Sequence, residues 1–129
     1  MTPSPTLPLK LASTAIGTIF IGFGINALLR PQHALTFFEF DDPVPAPDAV
    51  KTLINNLMLI YGVRDIFMGL VIYIAGIWGD KKVLGGTLLA TSAVAFADGA
   101  VCWMNGAGEW NHWGYAPMVA GVGGLVLGG

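Results

Sequence analysis

Residues 53–78, LINNLMLIYGVRDIFMGLVIYIAGIW, carry only two charged side chains, the adjacent Arg64 and Asp65 near the middle. The run exceeds the roughly 20 apolar residues that a helix needs to cross the hydrocarbon core of a bilayer. We therefore read it as a membrane span. Downstream, GDKK at 79–82 is a tight turn, followed by a second long run at 83–104. A polar loop, NGAGEWNH at 105–112, leads to another apolar stretch at 113–129. Upstream, 11–29 is apolar and is closed by Arg30 and Pro31. That run is longer than the roughly 7–15 residues of a signal-peptide core, so it reads as a retained span.

The expected fold is all-α: one membrane domain over 1–129, a four-transmembrane-helix bundle with spans at about 11–29, 53–78, 83–104 and 113–129. Residues 1–9 hold three prolines and are expected to be a loose tail. Between spans one and two, Pro31 opens a short interfacial helix whose apolar face is Ala34, Leu35, Phe37 and Phe38, and residues 40–48 make an extended return. Trp78, Trp103, Trp110 and Trp113 fall at span ends, where an aromatic belt would lie.

Composition points the same way. Of 129 residues, 54% are hydrophobic and 11% charged, against about 25% charged in soluble domains. The 18 glycines suit membrane helices. The net charge is −2 with no basic cluster, which argues against a nucleic-acid partner. Cys102 is the single cysteine, so it supports no internal disulfide and no multi-cysteine metal site. Lys10, Lys81 and Lys82 on one face, against Arg30 and Lys51 on the other, place the termini in the cytoplasm by a narrow margin. The opposite face is acidic, with Glu39, Asp41, Asp42, Asp48 and Glu109.

Small residues recur in stripes: Thr14, Thr18, Gly22 and Asn26; Asn55, Gly62, Gly69 and Gly76; Ala116, Ala120, Gly124 and Gly128. Such stripes let helix backbones approach closely where lipid removes the hydrophobic drive. They serve packing within one bundle, with homo-oligomer contact as the alternative use.

A charge at the bilayer centre costs roughly 2.5–3.5 kcal/mol on insertion scales, so Arg64, Asp65 and Asp98 are expected to face inward and find partners. Helical spacing puts Tyr61, Arg64, Asp65 and Met68 on one face, and Thr91, Ala95, Asp98 and Cys102 on another. At 1.5 Å per residue Arg64 lies roughly 16 Å deep and Asp98 roughly 9 Å deep from the same side. An Arg64–Asp98 pair across the helix interface is therefore expected, with Asp65 as the competing partner. Asn55 and Asn56 sit above it, and the loop carrying Glu109, Asn111 and His112 caps it. A network of this kind can also do no more than pin helix register. Cys102 reads as a small packer and His33 as an interfacial bystander.

Three segments, YGVRDIFMGL, AFADGAVCW and GEWNHWGYAP, together resemble the DUF4267 family of small four-helix membrane proteins. The resemblance spans about 10–125, with Arg64, Asp65, Asp98, Glu109, Asn111, His112 and Pro117 at the motif positions. It implies a membrane bundle broadly similar to DoxX-like proteins and supplies no chemistry.

The expected function is a site open to one face that binds a small apolar or amphipathic molecule. Acid–base isomerase or cyclase chemistry is its enzymatic form, in lipid, terpenoid or secondary metabolism. Asp98, Glu109 and His112 would exchange protons, while aromatic rings stabilise a developing cation. Tyr61, Arg64, Asp65, Asn56, Asn111, Trp103 and Trp110 would bind the ligand. A proton-coupled transporter acting as an oligomer and an accessory membrane subunit stand as alternatives. No cofactor motif is present, and Glu109 with His112 offers too few ligands for a metal.

Overall fold

The computed structural model describes residues 4–40 and 47–128, and these contain helices and turns with no strand. The six α-helices are α1 (Leu7–Leu29), α2 (Pro31–Leu35), α3 (Asp48–Trp78), α4 (Lys81–Met104), α5 (Trp110–Trp113) and α6 (Ala116–Gly128), with a 3-10 turn at Thr36–Phe38 after α2. Helices α1, α3 and α4 are long and apolar enough to cross a membrane. The fourth expected span differs. Helix α6 has 13 residues, about 20 Å at 1.5 Å per residue, which is short of a bilayer core of about 30 Å. Gly114 and Tyr115 separate it from the single turn of α5.

The first helix starts at Leu7, inside the segment expected to be a loose tail. Pro8 does not prevent this, because the first-turn N–H it lacks has no intrahelical acceptor anyway. Helix α3 likewise begins at Asp48, ahead of the expected 53, on an extended Pro47. Asp80 caps α4, its carboxylate accepting from the Val83 N–H at 3.0 Å. The short helix opening at Pro31 is present, with Ala34 and Phe38 buried. Asp41, Asp42 and most of the expected extended return lie outside the described residues.

Large apolar side chains cover the surface, and glycines and a few polar residues are buried beside an apolar core. On α3, Ile60, Phe67, Ile74 and Ile77 point outward, while Gly62, Asp65, Gly69 and Ile72 are buried. Hydroxyls inside these helices are satisfied locally: Ser13, Thr14, Thr18 and Thr87 each donate to the carbonyl four residues back. Such an inverted surface is what lipid, and not water, accommodates.

Two antiparallel helix pairs organise the molecule. In the first, α1 and α3 meet glycine to glycine: a Cβ on Gly24 would lie 2.5 Å from the Gly62 carbonyl oxygen, and one on Gly69 would lie 2.5 Å from that of Gly17. In the second, α4 and α6 meet at Gly85 and Gly123, where a Cβ on Gly123 would stand 3.1 Å from the Gly85 oxygen. The stripes therefore need correction. Gly62 and Gly69 pack as expected, but Gly22, Gly76, Gly124 and Gly128 face open space. The buried side of α6 is Ala116, Val119, Gly123 and Val126, rotated from the expected one. An apolar core with residues from α1, α3, α4 and α6 joins the two pairs, built on Ile16, Phe20, Ile72, Leu84, Leu88 and Val126.

Trp78, Trp103 and Trp110 are exposed, as belt residues would be. Trp113 is not: its indole lies over Gly99 and its Nε1–H donates to the Phe96 carbonyl at 3.0 Å.

Candidate functional site

Helix α3 delivers three residues one turn apart or less to the α3–α4 interface: Tyr61, Arg64 and Asp65. Asp98 comes from α4, opposite them. The guanidinium of Arg64 grips the Asp98 carboxylate with two bonds, Nη2 to Oδ2 at 2.8 Å and Nη1 to Oδ1 at 3.3 Å. Asp65, 1% exposed, stands farther off, 3.7 Å from Arg64 Nη2. The planar fork thus takes the cross-helix partner and leaves the neighbour as a longer-range one. The guanidinium also sits 4.5 Å above the Tyr61 ring, a cation–π contact.

The loop 105–112 closes over this end. Gly106 and Gly108 have φ of +97° and +95°, the left-handed region that glycine enters without strain. Gly108 also packs so tightly on the Phe38 carbonyl that a Cβ there has no room. Asn111 then ties the loop to the 3-10 turn, its Nδ2 donating to the Phe37 carbonyl at 2.9 Å and to Glu39 Oε2 at 2.8 Å. These bonds bring His112 inward. It is 2% exposed, with its ring 4.8 Å from that of Phe38 and 6.4 Å from that of Tyr115.

His112 lines a cavity of about 160 Å³. Phe23 of α1, Ala34 and Phe37 form one side of it, and Tyr61, Asn111 and Tyr115 complete the wall. Neither imidazole nitrogen of His112 has a hydrogen-bond partner among the described residues. Buried polar atoms are nearly always paired, and an unpaired one costs about 1–3 kcal/mol.

The expected site residues divide. Tyr61, Asn111 and His112 line the cavity. Arg64, Asp65 and Asp98 form the ion-pair group behind Tyr61 and do not line it, so the pair is not the floor of the cavity. Glu109 precedes α5, its Oε2 buried and unpartnered among the described residues. Asn56 points outward, and it is Asn55 whose Oδ1 is buried. Trp103 and Trp110 are exposed and away from the cavity. Sequence reasoning missed Phe23, Phe37 and Tyr115, because single aromatic residues beside or within apolar runs are indistinguishable from packing. His33 is tied to Asn26, Nδ1 to Nδ2 at 3.1 Å, which joins α2 to α1. Cys102 is fully buried. Among the described residues, no three His, Cys, Asp or Glu side chains are grouped to hold a metal ion.

Burial pushes the His112 imidazole below its ordinary value, against the upward pulls of Asp98 and of the nearby Phe37 carbonyl, which stands close to the ring without forming a well-aligned hydrogen bond. The neutral ring is thus the folded form at pH 7. As pH falls below about 6.5 the unfolded chain binds this proton more readily than the folded one, so stability should decline there. His112→Phe should remove that part of the acid loss, measured as the melting temperature in detergent between pH 7.5 and 5.

A family model described as a domain of unknown function (DUF4267) matches residues 17–126. No curated protein and no solved structure matches the chain.

Proposed function

The chain belongs to the DUF4267 family, and for this member we propose a membrane-embedded binding site for a small amphipathic molecule. The observation that carries it is His112: buried, without a hydrogen bond at either ring nitrogen among the described residues, and lining a cavity walled mainly by aromatic rings. A ligand with a hydroxyl or amine would satisfy the imidazole, while its apolar body rests on Phe23 and Phe37. A neutral imidazole in such a pocket can also take up a proton from a bound molecule, the step an isomerase or cyclase needs. In this reading α6 completes a four-helix membrane bundle. The charge bias puts both termini in the cytoplasm.

A transport path through a single copy is less well supported. Beyond the Arg64, Asp65 and Asp98 group, the buried polar side chains toward the other end are the hydroxyls of Ser13, Thr91 and Ser92, and among the described residues no further charged side chain is buried there.

The test is the small-molecule content of the purified protein. Extraction and mass spectrometry should show a species that accompanies the wild type and is depleted at least tenfold in His112→Phe. That substitution keeps a flat ring against Phe38 and Tyr115 and removes both nitrogens, while His112→Leu, which has no ring, controls for the added bulk of the phenyl group. Equal content in the two proteins would remove His112 as the recognition group.

A further inference from the structure

Around the cavity, aromatic rings form a continuous arc. Phe37 meets Phe23 at 6.0 Å, Phe23 meets Tyr115 at 6.1 Å, and Tyr115 meets His112 at 6.4 Å. Tyr61 extends the wall, joined to His112 through Phe38, which lies 5.1 Å from the one ring and 4.8 Å from the other. Ring faces carry the negative end of the aromatic quadrupole, so such an arc attracts a cation that has shed its water.

The charges around it have the matching sign. Asp65, Asp98, Glu39 and Glu109 all stand at this end of the molecule, and Arg64 is gripped by Asp98. Arg30 and Lys51 are exposed, outside the cavity wall. His112 lines the cavity with neither ring nitrogen bonded among the described residues, which leaves one free to accept. A cavity of about 160 Å³ is close in size to the roughly 150 Å³ cavities that hold a benzene-sized group. It is too small for a sterol or a long isoprenoid, but it can enclose an alkylated ammonium.

From these features we propose that the cavity is an aromatic cage for a small alkylated ammonium group bearing a hydroxyl, of the choline type. The inference rests on the binding-site reading above and names the ligand class of that same site. The methyl groups sit against Phe23, Phe37 and Tyr115, and the hydroxyl bonds to His112. The group could arrive as free choline, whose hydroxyl donates to an imidazole nitrogen, or as the headgroup of a zwitterionic lipid, where that oxygen is esterified and the imidazole N–H donates to the phosphate instead; the ammonium and its aromatic cage are common to both.

The experiment compares choline with its neutral isostere 3,3-dimethyl-1-butanol, using purified protein in a detergent with no ammonium group. Choline should bind at least tenfold more tightly by titration calorimetry. Tyr115→Phe should keep that preference and Tyr115→Leu should lose it, which separates the ring from the hydroxyl and from general misfolding. Nanodiscs distinguish the sources. If phosphatidylcholine, but not phosphatidylglycerol, competes with added choline, the headgroup is the natural form; if neither competes, it is the free solute. Equal binding of choline and the isostere would overturn the ammonium assignment while leaving an apolar pocket in place. Binding of neither, together with unchanged ligand content in His112→Phe, would overturn the pocket itself.

Discussion

Arg64→Met should destabilise the protein more than Asp98→Asn, and the double substitution should recover part of the loss. Breaking a buried ion pair costs about 3–5 kcal/mol when one partner is removed, because the other is left charged and unpaired. The side chain of Arg64 is 38% exposed against 15% for Asp98, and solvent screening lowers the loss below that range, to about 2–3 kcal/mol for Arg64→Met. The ordering follows from the geometry. With Asp98 neutralised, Arg64 still has Asp65 at 3.7 Å and the Tyr61 ring at 4.5 Å. With Arg64 gone, the two inward-facing carboxylates lose the cation that both approach among the described residues. Thermal or denaturant unfolding in detergent, run as a double-mutant cycle, measures the coupling. Additive losses would mean that the bidentate contact contributes nothing specific. A double variant as stable as wild type, with its ligand still bound, would mark the network as a register pin.

Gly69→Leu should be among the most damaging single substitutions in the described residues. A Cβ at Gly69 would lie 2.5 Å from the Gly17 carbonyl oxygen and 2.5 Å from Ile21 Cγ1. The first of these is backbone and cannot rotate away. Overpacking costs about 1–3 kcal/mol where side chains can adjust; separating α1 from α3 also sacrifices the contact at Gly24 and Gly62, so a loss above about 3 kcal/mol, or failure to assemble, is expected. Gly124→Leu is the matched control. It adds the same bulk on α6, where nothing lies within 4 Å, and its melting temperature should stay within a degree or two of wild type. A large loss for Gly124→Leu would show that this face is covered by another copy or another protein. A tolerated Gly69→Leu would mean that α1 and α3 do not approach as closely as described.

These two cases show where sequence reasoning succeeded and where it stopped. Arg64 and Asp98 could be paired from the chain because cost and depth both constrain them. Neither charge is tolerable alone in hydrocarbon, and counting residues from the span ends puts them within an arginine's reach. The glycine stripes carried no such constraint. Spacing of four or seven selects residues on one helix face, but it does not say which face turns toward a neighbour. Gly62 and Gly69 were chosen correctly, whereas Gly124 was chosen and Gly123 is the residue that packs.

By itself, the sequence determined the helical class, the apolar surroundings, the approximate ends of the three long helices and the presence of charges that must face inward. All of these follow from composition and from distance along one helix. The tertiary structure alone decided which helices pair, that α6 is too short to match the other three, and that His112 turns into a cavity while Trp103 and Trp110 turn out. It also gathered Phe23, Phe37, Tyr61 and Tyr115 from four separate segments into one wall. The physical reason is that periodicity fixes a residue's depth and its angle about its own helix axis. The rotation of one helix against the next is set by packing across the interface, here by glycine backbones meeting at the closest distance their missing side chains allow.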